Sequence, residues 1–145
     1  MIKTEKEYQE SKKLLDVEFK ELDVHAKNMK KAGLSRAQIK LALDPMSSFA
    51  LQLQEEVEAY EKLKKGQFEP LENLNGIGRT LIALRIFKSL KQKELAEKLQ
   101  VTEAQVSRDE RNEYHGASIE KIQKVLDAMG VTLKSVIKIG YDDAG

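Results

Sequence analysis

The sequence predicts an all-α protein, and three observations predict it. Apolar residues recur at steps of three, four and seven through most of the chain, the spacing that lines one side of a helix. Helix-start signatures stand before these periodic stretches, and Gly or Pro stands between them. Finally, 41% of the 145 residues are apolar, which suffices for a core in one compact domain with an appendage or in two small ones.

The first element opens with Thr4-Glu5-Lys6-Glu7, a capping box in which side chains and backbone donors satisfy each other at a helix start. Tyr8, Leu15, Leu22, Ala26 and Met29 then form one stripe with Phe19 beside it, ending near Gly33. Ser35-x-x-Gln38 repeats the capping pattern before a short helix carrying Ile39 and Leu43. Pro45 cannot continue that helix but suits the first turn of another, with Asp44 as its cap, so a restart is expected there. Met46, Phe49, Leu53, Val57, Tyr60 and Leu63 stripe the new helix up to Gly66. Long amphipathic helices joined by short links fold back on each other as an antiparallel hairpin.

Residues 66–76, GQFEPLENLNG, gather Gly, Pro and Asn. The expected organisation is an N-terminal helical region at 1–66, a linker at 67–76 and a second unit at 77–145. In that unit Ile77, Leu81, Leu84 and Phe87 mark a helix, Gln92 to Leu99 a short one, and Thr102 to about Arg111 a third. Ser118 caps a fourth, which carries Ile119, Ile122, Val125, Leu126 and Met129 and stops at Gly130. In VTLKSVIKIGYDD the alternation of Val131, Leu133, Ile137 and Ile139 favours a short C-terminal strand, with a helix through Leu133, Val136 and Ile137 as the alternative.

Composition narrows the function. There is no cysteine, hence no disulfide, thiolate metal site or cysteine nucleophile. The two histidines, His25 and His115, lie in different halves, and Glu55, Glu56 and Glu58 read as a solvated helix face. No catalytic or metal-binding constellation emerges, so neither an enzyme nor a cofactor is expected. MIKTEKEYQESKK lacks the apolar run of a signal peptide, and no stretch is apolar enough to span a bilayer, which predicts a cytoplasmic chain without a membrane partner. Net charge is +1, but residues 76–130 carry 10 Lys/Arg against 8 Asp/Glu.

The stretch KQKELAEKLQVTEAQVSRDERN, residues 91–112, carries the most function. It reads as helix, tight turn, helix. Ala96 is small enough to let the two helices cross closely, and Leu95, Leu99, Val101 and Val106 are expected to form one apolar hub. The second helix turns only Val106 clearly inward and shows Thr102, Glu103, Ala104, Gln105, Ser107 and Arg108, short or flexible groups able to reach base edges. Ala104 suits a thymine methyl; Glu103 either accepts from a cytosine amino group or favours the helix N-terminus through its dipole. Arg108 reads as a base or phosphate contact, the plainer alternative being a surface pair with Glu103 or Asp109. Lys88, Lys91 and Lys93 cluster where phosphates would be steered, although such a cluster also reads as solvated surface.

Over roughly Ile77 to Leu133 the pattern resembles the Cro/repressor-type (XRE-like) helix-turn-helix regulators. The likeness rests on IGRTLIALR, Gln92, Leu95-Ala96, Leu99, Val101-Thr102, Val106 and Ser107-Arg108-x-Glu110-Arg111. It implies a sequence-specific DNA-binding transcriptional regulator with Glu103, Ala104, Ser107 and Arg108 facing bases and Gln92 and Thr102 on phosphates, beside Lys93. It implies also an internal brace between Arg85 and Glu110. Two positions depart from the family: Gln100 replaces the usual turn glycine, and Asp109 replaces an apolar residue. The N-terminal seventy residues are loosely similar to the helical extension of HigA-like antitoxins, which implies a toxin protein as a second partner. One reading helix covers few base pairs, so a homodimer on a two-fold operator is expected, paired through the hairpin or the terminal segment.

Overall fold

The computed structural model describes residues 1–140 and contains, among them, six helices and no strand. They are α1 (Glu5–Lys31), α2 (Arg36–Lys64), α3 (Ile77–Phe87), α4 (Gln92–Leu99), α5 (Glu103–Arg111) and α6 (Ile119–Met129). The chain is all-α, as its periodicity predicts. Thr4 and Ser35 cap α1 and α2 through complete capping boxes, and Thr102 and Ser118 accept from backbone N–H groups at the starts of α5 and α6.

α1 and α2 pack antiparallel as a hairpin about 40 Å long, the reach of a 27-residue helix. The expected restart at Pro45 does not occur: α2 runs unbroken through it. Proline removes the bond to the carbonyl of residue 41 and crowds that turn. Leu43 and Ala50, on either side of it, are both buried, so an apolar face shared by the two segments outweighs the local defect. Another correction concerns the stripe itself, for Phe49 is 48% exposed while Ala50 is fully buried. The inner face follows Leu43, Ala50 and Val57 with Met46, Leu53 and Tyr60, a seven-residue repeat facing Tyr8, Leu15, Leu22 and Met29.

At the open end of the hairpin the rings of Tyr8 and Tyr60 stack with centroids 4.8 Å apart. Each phenol donates to a carboxylate of the other helix, Tyr8 to Glu61 at 2.7 Å and Tyr60 to Glu5 at 3.1 Å. This end sits on the bundle of α3–α6. Ile2, Val57 and Tyr60 join Leu81, Ile82, Leu84, Ile86, Leu95, Ala96, Val106, Tyr114, Val125, Leu126 and Met129 in one core. The packing therefore crosses the linker stretch that composition marks at 67–76.

α3 is the central helix and buries every residue from Leu81 to Ile86. Its first turn approaches the α5–α6 loop so closely that a Cβ on Gly78 would lie 1.8 Å from the Glu113 carbonyl oxygen, which explains the glycine. After α6, Val131–Gly140 form neither strand nor helix, contrary to the alternating pattern. A strand needs a hydrogen-bonding neighbour, and no other strand lies among the described residues. The rest of that segment, 141–145, lies outside the described residues.

Candidate nucleic-acid interface

α4 is only 8 residues long and α5 only 9, and the turn between them is tight. Gln100 takes the left-handed conformation at φ 57°, the Gln100 N–H reaches the Glu97 carbonyl, and the Val101 N–H reaches the Ala96 carbonyl at 3.0 Å. The glutamine thus adopts the geometry usual for glycine at a helix C-terminus, at a steric cost of about 1 kcal/mol. Leu95, Ala96 and Val106 are buried where the helices cross, with Leu99 beside them. Val101 is not part of this hub: at 43% exposure it stands on the outside of the turn.

α5 is held from within by Val106 and Glu110, its two buried residues. Thr102, Glu103, Ala104 and Arg108 are exposed, and Gln105, Ser107 and Asp109 are half-buried. Thr102 uses its hydroxyl oxygen to accept from the Gln105 N–H at 3.2 Å. Its O–H remains able to donate outward. Lys88, Lys91 and Lys93 are exposed around the start of α4. Gln92 is placed differently, for its Nε2 donates inward to Glu110 at 3.1 Å.

Beneath the helix pair lies an ion pair removed from water, Arg85 at 3% and Glu110 at 0% side-chain exposure. Arg85 Nε is 2.7 Å from Glu110 Oε2, and Nη2 is 2.7 Å from Oε1. Two further donors are used as well: Nη1 on the Leu90 carbonyl at 2.8 Å and Nη2 on the Lys3 carbonyl at 2.7 Å. Full hydrogen bonding is what makes two buried charges tolerable. Among the described residues no buried side-chain polar atom lacks a partner. The pair ties α5 to α3 and, through Lys3, ties the chain's first residues to both.

In the sequence Arg85 and Glu110 stand out only through the resemblance, and Leu90 and Lys3 do not stand out at all, because their carbonyls leave no side-chain signal. Nor does Lys121 on α6, whose Nζ lies 2.8 Å from Asp109 Oδ2. The Gln105–Asp109 bond at 3.0 Å carries a signal that could have been read, a polar pair spaced i, i+4. After α5, Glu113 and Tyr114 both adopt positive φ, and Tyr114 is buried. Burial first, then the nearby carboxylates Glu110 and Asp109, push the Tyr114 phenol well above its ordinary range, so it is neutral wherever the protein is folded near neutral pH. His115, by contrast, is exposed.

A family model described as a helix-turn-helix domain matches residues 59–138, more than half of the chain, from the last turns of α2 through α6. Comparisons with curated proteins and with solved structures returned no match. No helix among the described residues is long and apolar enough to cross a membrane.

Proposed function

The chain belongs to this family of helix-turn-helix domains, and from that premise we propose that it is a sequence-specific DNA-binding transcriptional regulator of the Cro/repressor (XRE-like) type. The observation that carries the reading is α5 itself: a capped two-turn helix with Val106 and Glu110 anchored inward, Ala104 and Arg108 bare on the opposite side and Glu103 bare at its first turn. Such a helix, braced by a second one crossing behind it, fits the major groove. Arg108 reads guanine, Ala104 meets a thymine methyl, and Glu103 and Ser107 bond to neighbouring base edges. Thr102, Lys93 and Gln92 contact phosphates on either side, Gln92 through the second N–H of its Nε2 or after releasing Glu110. Arg85 and Glu110 set the angle at which α5 leaves the bundle. In this reading residues 77–145 are the reading unit, 1–66 are a helical extension and 67–76 link them, although core packing unites them.

One α5 covers only a few base pairs, so the operator-binding form is a homodimer whose reading helices enter successive turns of the duplex. The hairpin or the exposed terminal segment, with Val136, Ile137 and Ile139 in water, supplies the dimer contact. An antitoxin that holds a toxin protein and represses its own operon is the second reading. It is favoured by Leu14, Val17 and Val24, which stand exposed along one side of α1. A small protein that co-purifies on the hairpin and is lost on replacing Val17 and Val24 by Lys would establish that reading.

A gel-shift titration against the DNA upstream of the gene, run over a salt series, tests the main proposal. Specific binding should weaken steeply with salt as phosphate counterions return. Arg108→Ala should relax sequence preference, worth about 1–3 kcal/mol at one base pair, whereas Gln92→Ala should weaken binding to all sequences alike. Binding that ignores sequence in the wild-type chain would end the proposal.

A further inference from the structure

Gln105 stands among the residues of the reading face, yet its side chain is half-buried and engaged at both ends. Its Nε2 donates to Asp109 Oδ1 at 3.0 Å, and its Oε1 accepts from Arg108 Nη1 at 3.3 Å. Asp109 in turn presents Oδ2 to Lys121 Nζ of α6 at 2.8 Å. The direction of the chain is set by chemistry. A carboxylate only accepts and a guanidinium only donates, so the carboxamide can satisfy both neighbours in one orientation alone.

From these contacts we infer that Lys121, Asp109 and Gln105 are positioning residues that hold the Arg108 guanidinium ready for a guanine before DNA arrives. The inference rests on the reading of α5 as the groove-entering helix. An exposed arginine is otherwise free to rotate about several bonds and must surrender that freedom when it docks. Gln105 restrains it through Nη1, and among the described residues no contact engages the Nε–Nη2 edge, which is left for O6 and N7 of the base. The departure at position 109 acquires a purpose in this arrangement. An apolar side chain there could neither accept from Gln105 nor anchor Lys121, and the restraint would vanish. Lys121 joins the reading head to α6, so the placement of α6, which packs on α3 and α4, bears on how sharply one base pair is read.

The full chain is first used to select its preferred site from a pool of randomised duplexes, and Arg108→Ala identifies the base pair that this arginine reads. Affinities for that site and for the site altered at that pair are then compared in wild type, Asp109→Leu, Gln105→Leu and Asp109→Asn. Discrimination at that pair should fall about threefold to tenfold in the two leucine variants and stay unchanged at other pairs. Asp109→Asn should keep most of it, because its amide oxygen still accepts from Gln105. In the free protein, nitrogen relaxation at Arg108 Nε should report a more mobile guanidinium in both leucine variants. Should Asp109→Leu fail to fold, Gln105→Leu, at a half-exposed site, decides alone. Full discrimination with unchanged Arg108 mobility, or a loss spread evenly over all base pairs, overturns the inference and leaves α5 as the reading helix. A wild-type chain that selects no sequence overturns both.

Discussion

The hairpin and the bundle are both helical, but they are held together differently. α1 runs 27 residues without fully burying one, whereas α3 runs 11 and buries seven, an arginine among them. Two helices can shield only the faces they turn to each other, so Leu14, Val17 and Val24 on α1 and Leu41 and Leu51 on α2 remain in water. The four short helices, closed at one end by Ile2, Val57 and Tyr60, enclose a centre, and that centre is dry enough to demand complete pairing of any charge inside it. Stability in the hairpin is therefore spread thinly along its length, and in the bundle it is concentrated at a few residues.

The sharpest way to break the contrast is at the buried pair. Glu110→Ala leaves Arg85 charged, buried and unpaired, and should cost about 3–5 kcal/mol in urea unfolding. The double variant Arg85→Met with Glu110→Leu should cost less than the single one, because it removes both charges together. A single-variant loss near zero would mean that the bundle is as loosely held as the hairpin.

Next in size comes a change that should strengthen the hairpin. Pro45→Ala restores a backbone donor and relieves crowding within α2, and should stabilise by up to about 3 kcal/mol. Slower amide exchange along residues 41–49 checks it, and no change there would show that the turn at Pro45 already carries no strain. Gly78→Ala acts on the bundle again. The added methyl meets the Glu113 carbonyl, and the backbone must shift at a cost of about 1–3 kcal/mol, seen as a lowered thermal midpoint.

The smallest effect lies where the two regions join. Tyr60→Phe removes the hydrogen bond to Glu5 and should cost about 1 kcal/mol. Its pH signature is more telling. Burial first, then the hydrogen bond to Glu5, push the Tyr60 phenol up to about 12 from its ordinary 10. The folded state favours the neutral phenol, so this stabilisation is complete below about pH 10. It is lost progressively as the unfolded chain ionises and the pH rises through about 12. Urea midpoints over that window should fall less steeply in Tyr60→Phe than in wild type, with Tyr114 contributing a remaining fall of the same sign.

Much of the fold was legible because its signals are local. The caps at Thr4, Ser35, Thr102 and Ser118 act on backbone donors two or three residues away, and the structure uses each of them. Pro45 was misleading for the same reason: the proline rule is local, while the face uniting Leu43, Ala50 and Val57 belongs to the whole helix and its partner. Phe49 drew the stripe because it is large. Alanine at 50, which lets α1 approach, has no weight in a count of bulky residues. The alternation after Val131 spells a strand only where a neighbouring strand exists to accept its hydrogen bonds.

The candidate site divides in the same way. The short helices, the Thr102 cap and the polar face with Arg108 follow from spacing within residues 91–112 and need no distant partner. Tertiary structure alone decided that Arg85 meets Glu110 and the Lys3 carbonyl, that Gln92 turns inward, and that Lys121 reaches Asp109. The physical reason is range. Helix formation and capping depend on neighbours within a turn, but a buried charge or an aimed guanidinium depends on groups that become neighbours only when α1, α3, α5 and α6 pack.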